Sequence, residues 1–402
     1  MHRPGRAVLH GICATMTAGL LLTTLAGCGS VVAGEAVRAE PDLSGLDVGN
    51  YPTEPAAFGI AKDHEAARYR EGQRLGDFVA LPFEIDSSYV NRVAGTGGPV
   101  VRDRRDMQSL VINDTFDEVA ADLITGWVHT WSTGGDPGTA QQLSIAVLMF
   151  PDPTTADSVA RGLEHDDFTF NIDNRPVQLP KYPQSKAHWR PGHASLGSWV
   201  AHDRYVVFVK YDDRAEKADL PVMVQRTESV FDVQLPLLGG FEPTPAEQLN
   251  EIALDPDGVL ALTLPKSPQM VAMYGPPDAF RGRGAVYALS GITDLQFLDS
   301  GQVTGIALGE SVVVRSETAQ GARTLWEDFR PDTDESASSR VIESPAGIDG
   351  NVACFSREVA AHMNPSAFCV LQTGRYFAQV EGGQIQDLHQ KTSAQYALLL
   401  HG

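Results

Sequence analysis

The apolar and polar positions of the chain fall into an apolar start, a long polar approach, and two stretches in which strand and helix periods follow one another. Residues 143–150 form an apolar run of strand length. Pro151-Asp152-Pro153-Thr154-Thr155-Ala156-Asp157 follows, and Ala156, Val159, Ala160 and Leu163 then share one helical face to about His165. Thr154 is the expected N-cap of that helix, with Asp157 three residues on. The runs 198–201 and 204–210 flank the turn His202-Asp203 and predict a hairpin, and a helix over 220–234 carries Leu220, Val224, Thr227 and Phe231 at helical spacing.

The same order then returns. Ser311-Val312-Val313-Val314-Arg315 predicts a strand and 318–329 a helix. Cys369-Val370-Leu371 and 375–380 flank the turn Thr373-Gly374, and a last helix places Ile385, Leu388, Thr392, Tyr396 and Leu399 on one face. Arg204-Tyr205 and Arg375-Tyr376 match at an offset of 171, the helices before them at about 162, so a duplication here has been interrupted by loop changes. The pattern predicts an α+β protein of two related domains, 71–240 and 266–402, each a mainly antiparallel sheet with helices packed on one face. Between them, 241–265 predicts a connecting helix and strand. Thr244-Pro245-Ala246-Glu247 is a capping box opening a helix through Ile252, Asp255-Pro256-Asp257-Gly258 is a turn, and 259–264 is a strand.

The apolar start follows Arg3 and Arg6 and ends in Leu25-Ala26-Gly27-Cys28. Residues 1–27 have the layout of an export signal, and a thiol placed at the first position after the cut is suited to lipidation. Diacylglycerol and palmitate chains on Cys28 would hold the protein stably on the extracytoplasmic face of the cell membrane. Residues 28–70, small, polar and Pro-spaced, predict an extended tether that lies back on the domain through Tyr51.

Losing residues 1–27 removes two basic residues and no acid, which takes the net charge from −20 to −22. A chain this acidic is a poor partner for nucleic acid or an anionic lipid surface, both of which need clustered Lys and Arg. No later segment has eighteen consecutive apolar residues, so the body is expected to be globular. Of four cysteines, Cys13 goes with the signal and Cys28 takes the lipid. Cys354 and Cys369 are left, in two β-like runs, and in an oxidising space they are expected to pair, a link worth up to about 3 kcal/mol.

Catalytic patterns are weak. Gly192-His193-Ala194-Ser195-Leu196-Gly197 is one residue too long for a nucleophile elbow and leads into a strand. His188, His193 and His202 lack helical metal-ligand spacing, so neither metal nor cofactor is expected, and Asp332, Asp334 and Glu335 read as a solvated loop. Trp127-Val128-His129-Thr130-Trp131 places two tryptophans on one side of a helix or strand, the candidate for a surface binding site.

The chain resembles a family of uncharacterised secreted lipoproteins from mycobacteria, nocardiae and related actinobacteria. The resemblance rests on Leu25-Ala26-Gly27-Cys28, Leu46-Asp47-Val48-Gly49-Asn50-Tyr51-Pro52, Asp152-Pro153-Thr154-Thr155-Ala156, Arg204-Tyr205-Val206 and the Cys354/Cys369 pair with Gly374-Arg375-Tyr376. It implies envelope location and two α+β domains and brings no catalytic residue. The expected function is therefore non-catalytic binding of a small molecule, a lipid or an envelope protein near the junction of the domains. The alternatives are a hydrolase whose His, Ser and Asp are assembled only by the fold, and a purely protein–protein scaffold.

Overall fold

The computed structural model of the protein describes residues 43–93, 98–107, 110, 114–136, 138–215, 219–290, 295–331, 339–357 and 366–402. The signal at 1–27, the lipidation site Cys28 and the acidic loop at Asp332 lie outside them. No helix among the described residues is long and apolar enough to cross a membrane.

Two antiparallel sheets are built in the same way. The first contains β1 (Tyr89–Arg92), β2 (Val100–Val101), β3 (Thr125–Thr133), β4 (Gln141–Met149), β5 (Arg175–Val177), β6 (Lys186–Trp189), β7 (Ser195–His202) and β8 (Tyr205–Asp213). Its order is β1-β3-β4-β8-β7-β6-β5, with β2 also on β3. The second contains β9 (Asp278–Arg281), β10 (Val303–Leu308), β11 (Ser311–Ser316), β12 (Ser339–Ile342), β13 (Asn351–Arg357), β14 (Ser366–Thr373) and β15 (Tyr376–Gly382). Read from β9, its order is β9-β10-β11-β15-β14-β13-β12, the path of the first sheet strand for strand. The hairpins at its centre agree in detail: two-residue turns join His202 to Tyr205 and Thr373 to Tyr376, with positive φ at Asp203 and Gly374. In each half a residue at the end of the neighbouring strand, Phe150 just past β4 or Ser316 closing β11, donates its N–H to the turn arginine's carbonyl, Arg204 or Arg375.

The helices are α1 (His64–Leu75), α5 (Pro153–Thr169), α6 (Leu220–Leu238), α8 (Gly282–Leu289), α10 (Ala319–Asp328) and α11 (Ile385–Leu399), with the short α2 (Pro82–Ile85), α3 (Arg104–Met107), α4 (Phe116–Val119), α7 (Pro268–Tyr274) and α9 (Leu295–Gly301). Local chemistry sets their starts. Asp152 caps α5 by accepting from the N–H groups of Thr154 and Thr155, ahead of Pro153 in the first turn, so the cap lies two residues before the expected Thr154. Asp63, Asp219 and Thr318 cap α1, α6 and α10 by the same chemistry.

Each half is an α+β domain with an antiparallel sheet, as the pattern predicts, and its helices cover both faces of the sheet. In β4, Leu143, Ile145, Val147 and Met149 meet α6, while Ala146 and Leu148, with Phe150 beyond the strand, meet α5. In the second sheet Val314, Val370 and Phe377 meet α10, and Val313, Leu371 and Ala378 meet α11. The sequence carried this signal, because an apolar run without alternation is what a strand buried on both faces requires. The α6 face of the first sheet and the α10 face of the second belong to one continuous core, so the two halves join through non-equivalent faces.

Two further expectations are corrected. The extended approach ends at Asp63, since His64–Leu75 is helical, and Leu46, Val48, Tyr51 and Phe58 pack on the second domain's core as a strap. The Tyr51 hydroxyl donates to Asp387 at 2.5 Å, and Gln390 donates to Asp47. In the connection, 246–251 and 260–262 are 3-10 turns rather than a helix and a strand. Thr244 caps nothing there, because its N–H and hydroxyl are taken by the carboxylate of Glu71, buried in α1 and paired with Arg74 at 2.6 Å.

Candidate functional site

Trp127 and Trp131 are fully buried, which removes the surface role expected of them. Both lie in β3 and point from the first sheet into the shared core. Trp127 meets Phe280 and Tyr287 of the second domain edge-on, with ring centroids 5.8 and 5.4 Å apart, and Trp131 meets Phe83. Around them the domains are joined by polar bonds as well. Asp77 accepts from the N–H of Arg283 at 2.9 Å, capping α8 from the other domain, and the Arg283 guanidinium grips Glu84. Gly282, at φ +45°, lies so close that a Cβ there would fall 1.7 Å from the Asp77 carboxylate.

At the edge of this filled junction the surfaces part into a cavity of about 490 Å³. Its walls are one side of α1, the segment 275–279 leading into β9, and the residues around Val100 and Leu254. Phe58, Ala66, Val100, Leu254, Leu260 and Pro276 make it largely apolar. A chain of polar side chains crosses the floor. Arg70 donates through Nη1 to the Ala279 carbonyl at 2.7 Å and to Oε1 of Gln73 at 2.9 Å, and Gln73 donates to Asp278 at 3.0 Å. The Tyr69 hydroxyl donates to the same carboxyl.

The electrostatics follow from enclosure. Arg70 is 3% exposed, has no carboxylate within 4 Å among the described residues, and its Nε is without a partner. Burial lowers its pKa. The Asp278 residue keeps some accessible surface, yet its carboxyl is enclosed by protein, and burial raises its pKa against the opposing pull of Tyr69, Lys266, Arg70 and Gln73. The acids near the rim are engaged: Glu65 and Asp106 pair with Arg102 at 3.3 and 3.2 Å, and Asp63 caps α1. Such an enclosed, mainly apolar space with a few convergent polar groups is the usual form of a small-molecule site.

The other sequence candidates are dispersed. Cys354 and Cys369 sit directly opposite each other on β13 and β14 and are joined by a disulfide, far in the chain from the cavity walls. His193 and Ser195 line a separate depression of about 710 Å³ with Lys210 and Asp212, which pair with each other at 3.5 Å, and among the described residues no hydrogen bond joins the His193 and Ser195 side chains. His188 is buried between Glu164 and Asp167, at 3.5 and 3.7 Å. No group of three or more described His, Cys, Asp or Glu residues has the geometry of a metal site. The residues that form the cleft escaped the sequence reading. In α1, His64-Glu65-Ala66-Ala67-Arg68-Tyr69-Arg70-Glu71-Gly72-Gln73-Arg74-Leu75, most positions are polar, and the pattern gives no sign that Arg70, Glu71 and Gln73 are buried.

Comparison with solved structures gives loose likenesses, among them the following two. The extracellular domain of PknH from Mycobacterium tuberculosis is 13% identical, with 42% of this chain and 96% of that chain covered at a TM-score of 0.29. The di-domain aromatase/cyclase StfQ of the steffimycin biosynthetic pathway is 10% identical, with 82% and 92% covered at a TM-score of 0.16. Neither superposition is close enough to bear on fold or function. No curated protein matches the sequence. Two family models do: residues 58–254 match the N-terminal domain, and residues 259–402 the C-terminal domain, of a pair described as domain of unknown function DUF7373. Each match takes in one of the two sheets, and the chain is thus made of the N-terminal and C-terminal DUF7373 domains.

Proposed function

We propose that the protein is a non-catalytic binding protein of the cell envelope, anchored by lipid on Cys28, that holds a small molecule in the cleft between its domains. The observation that carries the binding reading is the 490 Å³ cavity at the domain junction, into which Arg70, Gln73 and Asp278 converge. Its volume lies in the range of small-molecule sites. The filled junction around Trp127 supports a preformed site, since the walls are held by a core common to both domains and need not close on the ligand. Leu25-Ala26-Gly27-Cys28 supports the anchor.

Native mass spectrometry of the full-length protein purified from its own cells tests the binding reading. A reproducible extra mass, lost when the cleft is blocked by Ala66→Trp, is the expected result. A bare polypeptide from every preparation, with no shift of melting temperature in the presence of an extract of those cells, would overturn it. For the anchor, radiolabelled palmitate should enter the wild-type protein and not Cys28→Ala; equal labelling of both refutes lipidation at this residue.

A further inference from the structure

Granting the cleft as a binding site, we infer that its ligand is a carboxylic acid with an apolar body, its carboxylate held by Arg70 and its body lying against Phe58, Val100, Leu254 and Leu260. Three observations carry this. First, Arg70 is a charged side chain buried to 3% exposure in the cavity wall, yet no carboxylate of the described residues lies within 4 Å and its Nε has no hydrogen-bond partner. The guanidinium is removed from water, donates to the Ala279 carbonyl and the Gln73 amide oxygen, and feels Asp257 and Asp255 only from a distance, so it lacks a directly bonded anion to match its forked donors.

Second, the acid beside it favours a monoanion. Asp278 is linked to Arg70 through Gln73, and burial makes its carboxyl hold a proton more readily than a solvated one. A ligand carboxylate placed there forms a pair of carboxyl groups sharing one proton, an arrangement stable beside a cation. A phosphate would bring up to a second negative charge to the same place, and a ligand cation would meet Arg70. Third, the cavity lining carries four acids, Asp63, Glu65, Asp106 and Asp278, against Arg70 and Arg102, which at first sight argues for a cation. Three of the four are occupied: Asp63 by the N–H of Ala66, Glu65 and Asp106 by Arg102. Counted as charges the lining stays acidic, but Arg70 is the cation among its described residues with no carboxylate bonded to it, and most of the remaining wall is hydrocarbon.

The test is a titration of the purified full-length protein with decanoate, decanol, decyl phosphate and decyltrimethylammonium, followed by calorimetry. Decanoate should bind at least tenfold more tightly than the other three, and shortening it by two methylenes should weaken binding about tenfold, as burial of about 0.8 kcal/mol per methylene requires. Arg70→Met, which keeps the aliphatic stem, should bring decanoate down to the affinity of decanol while leaving decanol unchanged. Equal binding of decanoate and decanol by the wild-type protein, or preference for the ammonium or phosphate, overturns the acid assignment and leaves the cleft as a site. Failure of all four probes to bind, or binding that Ala66→Trp does not block, overturns the cleft reading as well. The comparison of probes on the wild-type protein stands even where Arg70→Met does not fold.

Discussion

Lowering the pH should destabilise this fold in part through His129, beside carboxylates such as Asp86 and Asp387 whose pKa values are also held down. His129 sits on β3 in the shared core, 4% exposed, with Nε2 3.0 Å from the Ala80 carbonyl and its ring 5.6 Å from that of Tyr287. A carbonyl only accepts, so Nε2 carries the hydrogen, and Nδ1, which has no partner, is the nitrogen that would have to be protonated. Burial, with Arg92 nearby adding to it, pushes its pKa from 6.5 down to about 4 against the opposing Ala80 bond. Below 6.5 the unfolded chain therefore binds a proton that the folded one refuses. The stability is complete above 6.5 and is lost as the pH falls towards 4, by about 3 kcal/mol in all at 1.36 kcal/mol per pKa unit. Between pH 7.5 and pH 4.5 the same relation gives about 2.5 kcal/mol. His129→Gln keeps an amide donor for Ala80 and cannot titrate, so denaturant unfolding followed by tryptophan fluorescence should show the wild-type protein losing about 2.5 kcal/mol more than the variant over this interval. Asp278 and Asp167, whose pKa values burial raises, act in the opposite sense but are common to both proteins and cancel in the difference. Parallel pH dependences for the two proteins would refute the reasoning.

Other perturbations separate the remaining contributions. Trp127→Ala should cost about 3–5 kcal/mol of global stability, read by denaturant unfolding, because it empties the contact with Phe280 and Tyr287 that joins the domains. Gly282→Ala should cost about 2–3 kcal/mol by the same assay, from the positive φ and from displacement of the Asp77 cap, while Gly383→Ala, with no atom within 4 Å of its Cβ, should cost under about 1 kcal/mol. Reduction of Cys354–Cys369 should lower stability by up to about 3 kcal/mol in a melting experiment with and without reductant, and a C354A/C369A variant should be insensitive to reductant. Tyr51→Phe, which loses the bond to Asp387, should cost about 1 kcal/mol and speed proteolysis within the strap.

What the sequence discloses is what depends on neighbours in the chain. Asp152-Pro153, the turns at Asp203 and Gly374, and the two matching series of strands and helices are local signals, whereas the strand order that the two sheets share depends on pairing between distant segments and is not among them. The second helical layer is less legible, because Val159 and Leu163 of α5 account for only half of the apolar residues in β4 and the other half meet α6. The cleft was illegible for a different reason. Arg70 and Gln73 are polar residues buried by a domain more than two hundred positions away, and no period within α1 reports on Ala279 or Asp278. Similarly, Thr244-Pro245-Ala246-Glu247 has the composition of a capping box, but the buried Glu71 competes for the threonine and wins because a buried carboxylate without donors costs more than an exposed helix start without a cap.

The strap has a consequence for the order in which the molecule can be completed. Asp47, Tyr51 and Glu54 are among the first described residues to leave the ribosome, and their partners Gln390, Asp387 and His401 are among the last. Hydrogen bonds spanning 336 and 343 residues cannot form before α11 has been made, so the first segment waits, apolar residues exposed, until that helix is available. A chain stopped before Ile385 therefore lacks α11 and, with it, the landing place of the strap.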